Sequence, residues 1–294
     1  MDDGSTNSQE LDASGKANFD SIYTADTPQP YLNVMRQLDY RIPTEAQAYI
    51  EHLVSRYSAA HPNQQEVHVL DIGTSYGING ALLKWNLSLV DFCDHYLTDG
   101  YSDLPLAQRD LHNQQLCLGR SPRSNIKVIG LDISKPALDF GLETGLLDHS
   151  VCVDLEKHSA DDTQAEQIKQ SDCLISTGCL GYVSEVSLRK IIELCAPNKP
   201  WMAHCLLRMF PLEPYRKLFE SCGYRVWLSD EILPQRRFAS AEEKKQVLDS
   251  LHQQGIDTTG YESGDYLWAR VFYVVPDDLP DESWKFSVGL KNEQ

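Results

Sequence analysis

The residues whose types and spacing suit chemistry lie together between Val67 and Leu83. Asp71, Gly73, Ser75 and Gly77 occupy alternate positions after the apolar run Val67-His68-Val69-Leu70 and before a second apolar run that reads as a helix. Strand, glycine-bearing turn and helix, in that order, bring the free N–H groups of a helix start beside a ligand, and glycine lets the backbone approach it closely. The pattern is not the dinucleotide fingerprint G-x-G-x-x-G: an aspartate precedes the first glycine, and the glycines stand four apart with Ser75 between them. A second carboxylate closes the run Ile126 to Asp132, where it can accept both hydroxyls of a ribose. Asp71 and Asp132 are further apart than the roughly 20 residues of an uninterrupted nucleotide-binding unit, and the stretch Asn86 to Asn125 accounts for the excess. Ser134 suits the cap of the next helix and Pro136 its first turn. A third run, Val151 to Asp154, ends in an aspartate that serves equally well as a ligand contact or as a helix cap.

Taken in this order, the segments resemble the class I S-adenosylmethionine-dependent methyltransferases, whose first motif is D/E-x-G-x-G-x-G; Ser75 stands here at the middle glycine. The resemblance runs from Val67 to Val275 and implies S-adenosyl-L-methionine as cofactor. It implies that Asp71 helps hold the amino acid end of the cofactor and that Gly73, Ser75 and Gly77 pass its sugar and methionine portion. It further implies Asp132 and Ile133 at the ribose, Asp154 and Leu155 at the adenine, and Asp172 to Val183, with Thr177 and Gly178, between cofactor and acceptor.

On the acceptor side the candidates are Tyr182 after the fourth strand, Arg208 past the fifth, and Tyr31, with Tyr23 and Tyr40, in the aromatic leading segment. Tyrosine faces suit a sulfonium, and a helical flap before the first strand can close over a cofactor. The same tyrosines serve equally to pack across the sheet. Arg208 either clamps a substrate carboxylate or makes a surface pair. His68 and His204, inside strands, read as core or edge residues, and with no compact cluster of His, Cys and carboxylate no metal is expected. Three functions follow: methyl transfer to an oxygen or nitrogen of a small molecule, cyclisation of S-adenosylmethionine to azetidine-2-carboxylate and methylthioadenosine, or binding without turnover.

The elements that must position these residues alternate strand with helix, as in a parallel sheet covered on both faces. The expected fold is α/β, a Rossmann-like, doubly wound, seven-stranded sheet with an N-terminal helical segment. Strands are expected at Val67 to Asp71, Ile126 to Asp132, Val151 to Asp154, Cys173 to Ser176, Trp201 to Leu207, Tyr224 to Leu228 and Leu267 to Val275, the last inserting antiparallel beside the fifth. Residues 1–18 read as a disordered tail, 19–62 as a helical lid, 63–275 as the cofactor-binding domain with insertions at 86–125 and 229–264, and 276–294 as a C-terminal tail. Thr44-Glu45-Ala46-Gln47 has the pattern of a capping box for the second lid helix.

Composition narrows the partners. With 43 acidic and 26 basic residues the formal net charge is -17, which repels a phosphate backbone and an anionic membrane surface. Arg236-Arg237, the best local basic patch, reads as solvated surface. No apolar stretch is long enough to span a bilayer. The acidic N-terminus lacks a secretory pattern, and the eight cysteines lack C-x2-C spacing, so a cytoplasmic protein with reduced thiols is expected. A small-molecule substrate is expected, with no nucleic acid or membrane partner; oligomeric state has no readable signal.

Overall fold

The computed structural model describes residues 20–280 and Trp284. The expected N-terminal tail, Phe19 and most of 276–294 lie outside the described residues. The strands are β1 (Val67–Ile72), β2 (Ile126–Asp132), β3 (His149–Cys152), β4 (Cys173–Ser176), β5 (Trp201–Leu207), β6 (Tyr224–Arg237) and β7 (Tyr266–Pro276). They form one sheet in the order β3-β2-β1-β4-β5-β7-β6. The first five strands run parallel, and β7 lies antiparallel between β5 and β6. This is the order that the methyltransferase resemblance implies.

The leading segment forms α1 (Asp20–Tyr23), α2 (Gln29–Gln37) and α3 (Ile42–Ala60). Between strands run α4 (Ile78–Trp85), α5 (Leu89–Tyr96), α6 (Leu106–Gln115), α7 (Lys135–Glu143), α8 (Asp162–Lys169), α9 (Glu185–Cys195), α10 (Glu213–Ser221) and α11 (Ala241–Gln253). Central strands are apolar at nearly every position because both faces are covered: β4 and β5 are buried throughout. On one face α3 contributes Ile50, Leu53 and Tyr57 to a core with Val69, Ile175 and Val271. On the other, Ile168 of α8, Leu188 of α9 and Phe219 of α10 pack on Leu70, Ile129 and Met202. A third cluster joins Tyr31 and Leu32 of α2 to Tyr76, Phe92 of α5 and Phe140 of α7. The partly buried Tyr40 packs against both the first and the third of these clusters.

Four local expectations need correction. Helix α3 begins at Ile42, with Pro43 in its first turn and Arg41 at the cap making no side-chain capping bond, so Thr44 is inside the helix and the capping box does not form. Proline, whose fixed φ and missing N–H fit a first turn, outcompetes the threonine signal. Strand β3 ends at Cys152, so Asp154 lies in the turn beyond it; the Gln164 amide, held in the capping box of α8, takes the Cys152 carbonyl. Strand β6 continues to Arg237, with register shifts between Leu228 and Ile232 and between Pro234 and Arg236. The start of the stretch expected as a long connection, 229–237, is therefore sheet, and α11 takes up a larger part of the rest. Finally, Arg236 is buried: its guanidinium grips both oxygens of Glu243, at 2.9 and 2.7 Å, and the Ala239 N–H donates to the same carboxylate at 2.7 Å. Only Arg237 of that pair is exposed.

Arg236 and Glu243 are each almost fully shielded from water. Removing one partner strands the other charge in the interior, so Glu243→Ala should cost about 3–5 kcal/mol of stability, read as a lowered midpoint in denaturant unfolding.

Candidate functional site

Strand β1 carries Asp71 to its end, fully buried. Thr74 donates its hydroxyl to one carboxylate oxygen at 2.7 Å and the Asn79 amide donates to the other at 2.9 Å. The same Asn79 amide nitrogen reaches Thr177 Oγ1, at 3.1 Å, just past β4. Asp71 is thereby fixed from the turn and the helix that follow it, and is linked to the neighbouring strand. Among the described residues no cationic side chain pairs with it. Burial pushes its pKa up to about 7, against the lowering by its two hydrogen bonds, and the nearby negative charge of Asp132 adds to the rise.

The turn after β1 holds three left-handed residues: Gly73 at φ +68°, Ser75 at +51° and Gly77 at +79°. Serine adopts this conformation at a cost, and the structure holds it there through its own backbone: Ser75 N–H donates to Asp132 Oδ2 at 2.8 Å. Asp132 Oδ1 accepts from Ser134 N–H at 2.9 Å. Asp132 thus clasps the turn of β1 to the start of α7. Close packing explains Gly73, where a Cβ would stand 2.6 Å from that of Cys179.

The leading segment closes on this turn. The Tyr76 hydroxyl donates to the carbonyls of Ile22 and Ala25, and the Ser134 hydroxyl donates to that of Tyr23. At its other end Arg41 N–H donates to Gln235 O and Arg237 N–H to Leu38 O, both at 2.7 Å, pinning residues 38–41 along the extension of β6. Between these anchors Tyr31 packs against Tyr23, Tyr40 and Tyr76, with ring centroids 5.4, 6.5 and 5.7 Å away. Burial raises the pKa of both the Tyr31 and Tyr40 hydroxyls, so they are protonated. Gly178 sits under this flap: a Cβ there would lie 2.7 Å from the Gln235 amide nitrogen and 3.7 Å from the Tyr40 hydroxyl.

Three buried oxygens of this region, Ser75 Oγ, Asn79 Oδ1 and Gln235 Oε1, meet no hydrogen-bond partner among the described residues. Buried polar atoms are rarely left so. All three can accept a proton donor from a ligand. Among the described residues no group of three His, Cys, Asp or Glu side chains could hold a metal ion.

Hydrogen bonds join Asp71 to Thr177 through Asn79, and Ser75 to Asp132, and the backbone from Thr74 to Ser75 connects the two sets, with Gly73 and Gly77 in the same turn and Tyr31 and Gly178 at the flap. Ile133 is 70% exposed beside Asp132, an apolar surface at the end of β2. Asp154 accepts from Glu156 N–H and from Lys157, whose ammonium holds its carboxyl below the usual range. Leu155 is buried in the core under α8 and α9. Tyr182 is 45% exposed on the turn after β4, a turn that the Tyr215 hydroxyl ties to Gly181 N–H and Val183 O. The Arg208 guanidinium is bonded to Glu262 at 2.7 Å and the Asp257 carbonyl at 2.6 Å, over the ring of Tyr261. It anchors the chain entering β7. His204 is fully buried on Ser176 Oγ at 2.8 Å, and burial pulls its pKa down to about 3.

Asn79, Thr74 and Gln235 escape a reading by motif. Asn79 is signalled only as a polar residue in the first turn of an otherwise apolar helix. Gln235 carries no signal in a stretch read as loop.

No protein-family model matches the chain and no curated protein matches its sequence. Solved structures of similar shape include the plantazolicin methyltransferase BamL in complex with a triazolic desmethylPZN analog and SAH. It is 13% identical, with TM-score 0.43 over 87% of this chain and 93% of that one. A SAM-dependent methyltransferase from Geobacter sulfurreducens in complex with S-adenosyl-L-homocysteine is 14% identical, with TM-score 0.33 over 77% and 90%. The [4+2]-cyclase SpnF is 13% identical, with TM-score 0.38 over 76% and 80%. The order of the sheet and its antiparallel β7 are those of the class I methyltransferase fold.

Because Asp71 ionises near pH 7 in the folded protein and about 3.9 unfolded, the native state binds a proton that the unfolded chain has lost between these values. The stabilisation by the neutral carboxyl is complete below pH 4 and is lost as pH rises to 7. Asp71→Asn, which keeps one acceptor for Asn79 and can donate to Thr74, should raise the melting temperature of the ligand-free protein at pH 8 by roughly 5 °C. At pH 4 it should change it little. Equal shifts at both pH values would contradict the charge as the cause.

Proposed function

We propose that this chain binds S-adenosyl-L-methionine at the C-terminal ends of β1, β2 and β4 and transfers its methyl group to an oxygen or nitrogen of a small molecule. The observation that carries the reading is the pair of strand-end carboxylates, Asp71 and Asp132, joined through the turn of Ser75. They stand where the sheet order changes direction, β2 to one side of β1 and β4 to the other, and open α/β sheets bind their ligands at such a crevice.

The residues present fit the cofactor. Asp132 accepts from the backbone N–H groups of Ser75 and Ser134, and a carboxylate offers about four lone-pair sites, which leaves acceptors for ribose hydroxyls. Ser75 Oγ and Asn79 Oδ1 want donors, and the exposed Ile133 offers an apolar face to a base. When bound, the cofactor supplies an electrophilic methyl on a sulfonium. The chain's own part is to hold and enclose it: buried tyrosine rings favour a nearby cation, and alignment with the acceptor supplies most of the acceleration. On the acceptor side the reading keeps Tyr31, buried within the flap, and Tyr182, exposed on the turn after β4, while Arg208 serves to position the chain entering β7. The net charge of -17 favours a small molecule over a nucleic acid.

A second reading is favoured by the flap itself. The Gln235 amide fills the space beside Gly178 and Tyr31 is buried, which leaves an enclosed substrate with its own amine as the nearest nucleophile. In that case the neutral amine attacks its γ-carbon, an N–C bond forms, the C–S bond breaks and methylthioadenosine leaves. The nitrogen gives up a proton and azetidine-2-carboxylate remains.

Incubating the purified protein with S-adenosylmethionine and following the nucleoside by mass spectrometry separates the readings. S-adenosylhomocysteine formed only with an added cell extract supports methyl transfer; methylthioadenosine formed with no acceptor supports cyclisation; no product from either, with tight binding, leaves a binding protein. Asp132→Ala should weaken S-adenosylhomocysteine binding by at least tenfold, about 1.4 kcal/mol, and unchanged affinity by calorimetry would remove the ribose contact.

A further inference from the structure

We infer that Arg270, with the indole N–H of Trp268, forms a subsite for a carboxylate, and that the small molecule taken by this chain carries one. That the carboxylate belongs to the methyl acceptor rests on the reading above; the subsite itself lies apart from the residues assigned to the cofactor.

Strand β7 divides its side chains between two faces. Leu267, Ala269 and Val271 join the core under α3, and Phe272 and Val274 join the core of the opposite face. Trp268 and Arg270 continue that second face toward the start of the strand, where both are only partly buried. Their neighbours place them beside the proposed site. Trp268 pairs with Pro234, next to the Gln235 whose amide lies against Gly178. Arg270 pairs with Leu206 near the end of β5, and its guanidinium reaches the carbonyl of Phe210, whose ring fills the space beside Gly181 on the loop after β4.

Arg270 is a cation without an ionic partner. Its neighbour Arg208 is paired with Glu262, but Arg270 Nη1 donates to the carbonyls of Arg208 and Phe210, at 3.2 and 3.4 Å, and among the described residues no carboxylate pairs with it. This corner therefore sets two guanidinium groups against the one buried carboxylate of Glu262; Asp257 is exposed and turns its own carboxylate to Thr259 N–H. Burial and the charge of Arg208 pull the Arg270 pKa down by more than Glu262 restores. Arginine keeps its proton all the same. A half-buried charge left uncompensated is costly, and an incoming anion relieves that cost. In a chain of net charge -17 a locally positive corner is an exception that favours one anionic group.

The free edge of the guanidinium selects the kind of anion. With Nη1 on the main chain, Nε and Nη2 remain, and their parallel N–H groups match the two oxygens of a carboxylate. Trp268 adds a third donor on the same face: its Nε1 is buried and meets no acceptor among the described residues, and its ring stands edge-on to Tyr261 at 5.3 Å. One net positive charge balances one carboxylate. The second charge of a phosphate would go unanswered.

Benzoate is the probe, with benzamide as its neutral counterpart and phenyl phosphate as the doubly charged one, titrated into isotope-labelled protein saturated with S-adenosylhomocysteine. The readout, by proton–nitrogen NMR, is the Trp268 indole N–H, identified as the one of five tryptophan signals that Trp268→Phe removes. Benzoate should shift this signal, and benzamide at the same concentration should leave it in place. Arg270→Gln should weaken benzoate about tenfold or more, the worth of a hydrogen bond to a charged group. Arg270→Lys keeps the charge and a donor for the two carbonyls but loses the paired edge, so it should recover only part of the loss. Should the glutamine variant lose its fold, the lysine variant must still weaken benzoate about threefold or more. Both variants should bind S-adenosylhomocysteine within about twofold of the unaltered protein, about 0.4 kcal/mol. An equal response to benzamide, undiminished benzoate binding in the variants, or no response to benzoate overturns the subsite and leaves Arg270 as a tie between β5 and β7. Phenyl phosphate bound far more tightly than benzoate overturns the carboxylate in favour of a phosphate. Failure of S-adenosylhomocysteine to bind overturns the cofactor reading by itself, and the same titration without it still decides the subsite.

Discussion

The site depends on a carboxylate held in the interior without a cation. Asp71 is fully buried and satisfied by two neutral donors, Thr74 and Asn79. Neutral partners make ionisation costly, and much of the surroundings can be understood as what keeps that arrangement in place: a turn with three left-handed residues, a second carboxylate clasping that turn, and an asparagine that reaches across to β4. A ligand that brings positive charge relieves the cost. The ligand-free molecule is therefore less stable at this point than its packing allows, and binding recovers the difference.

The flap extends the same logic to the outside. It is joined to the rest at two places by bonds between backbone and side chain or between backbones, and in between by stacked tyrosines. Main-chain bonds at the β6 end are indifferent to side-chain chemistry, whereas the tyrosine end is selective for what lies beneath. An enclosure with one generic and one selective edge can open about the first while answering to a ligand through the second.

How much of this was legible depends on whether a residue's role is local. The strands β1, β2, β4 and β5 were readable because burial on both faces leaves a nearly unbroken apolar run, and Asp71 and Asp132 were readable because they end such runs. Antiparallel β7 beside β5 followed from the resemblance and from the late position of its apolar run. The start of α3 was misread because a threonine pattern and a proline compete for the same turn, and the proline acts first in the chain. Arg236 was misread as surface because its partner, Glu243, is supplied by a helix whose approach no local pattern encodes. Gln235 and the engaged state of Arg208 were hidden for the same reason: their surroundings come from segments distant in sequence. Asn79 stands at the start of the apolar helix α4, where its type alone does not tell a cap from a site contact.

The irregularity of β6 between Pro234 and Arg236 has a consequence for how this chain can vary. Pro234 pairs with Trp268 and Arg236 with Leu267, so Gln235 is an extra residue between two consecutive partners, and both it and Arg236 are buried. The extra residue of a bulge re-aims the chain, giving one side chain to the loop after β4 and the next to Glu243. Two unrelated tasks therefore share one phase of the pleat. Deleting one residue ahead of this point would bring Arg236 over Gly178 and Arg237 opposite Glu243, and inserting one would bring Pro234 and Gln235 to those places. Substitutions along this edge can be tolerated one at a time, but its length cannot drift.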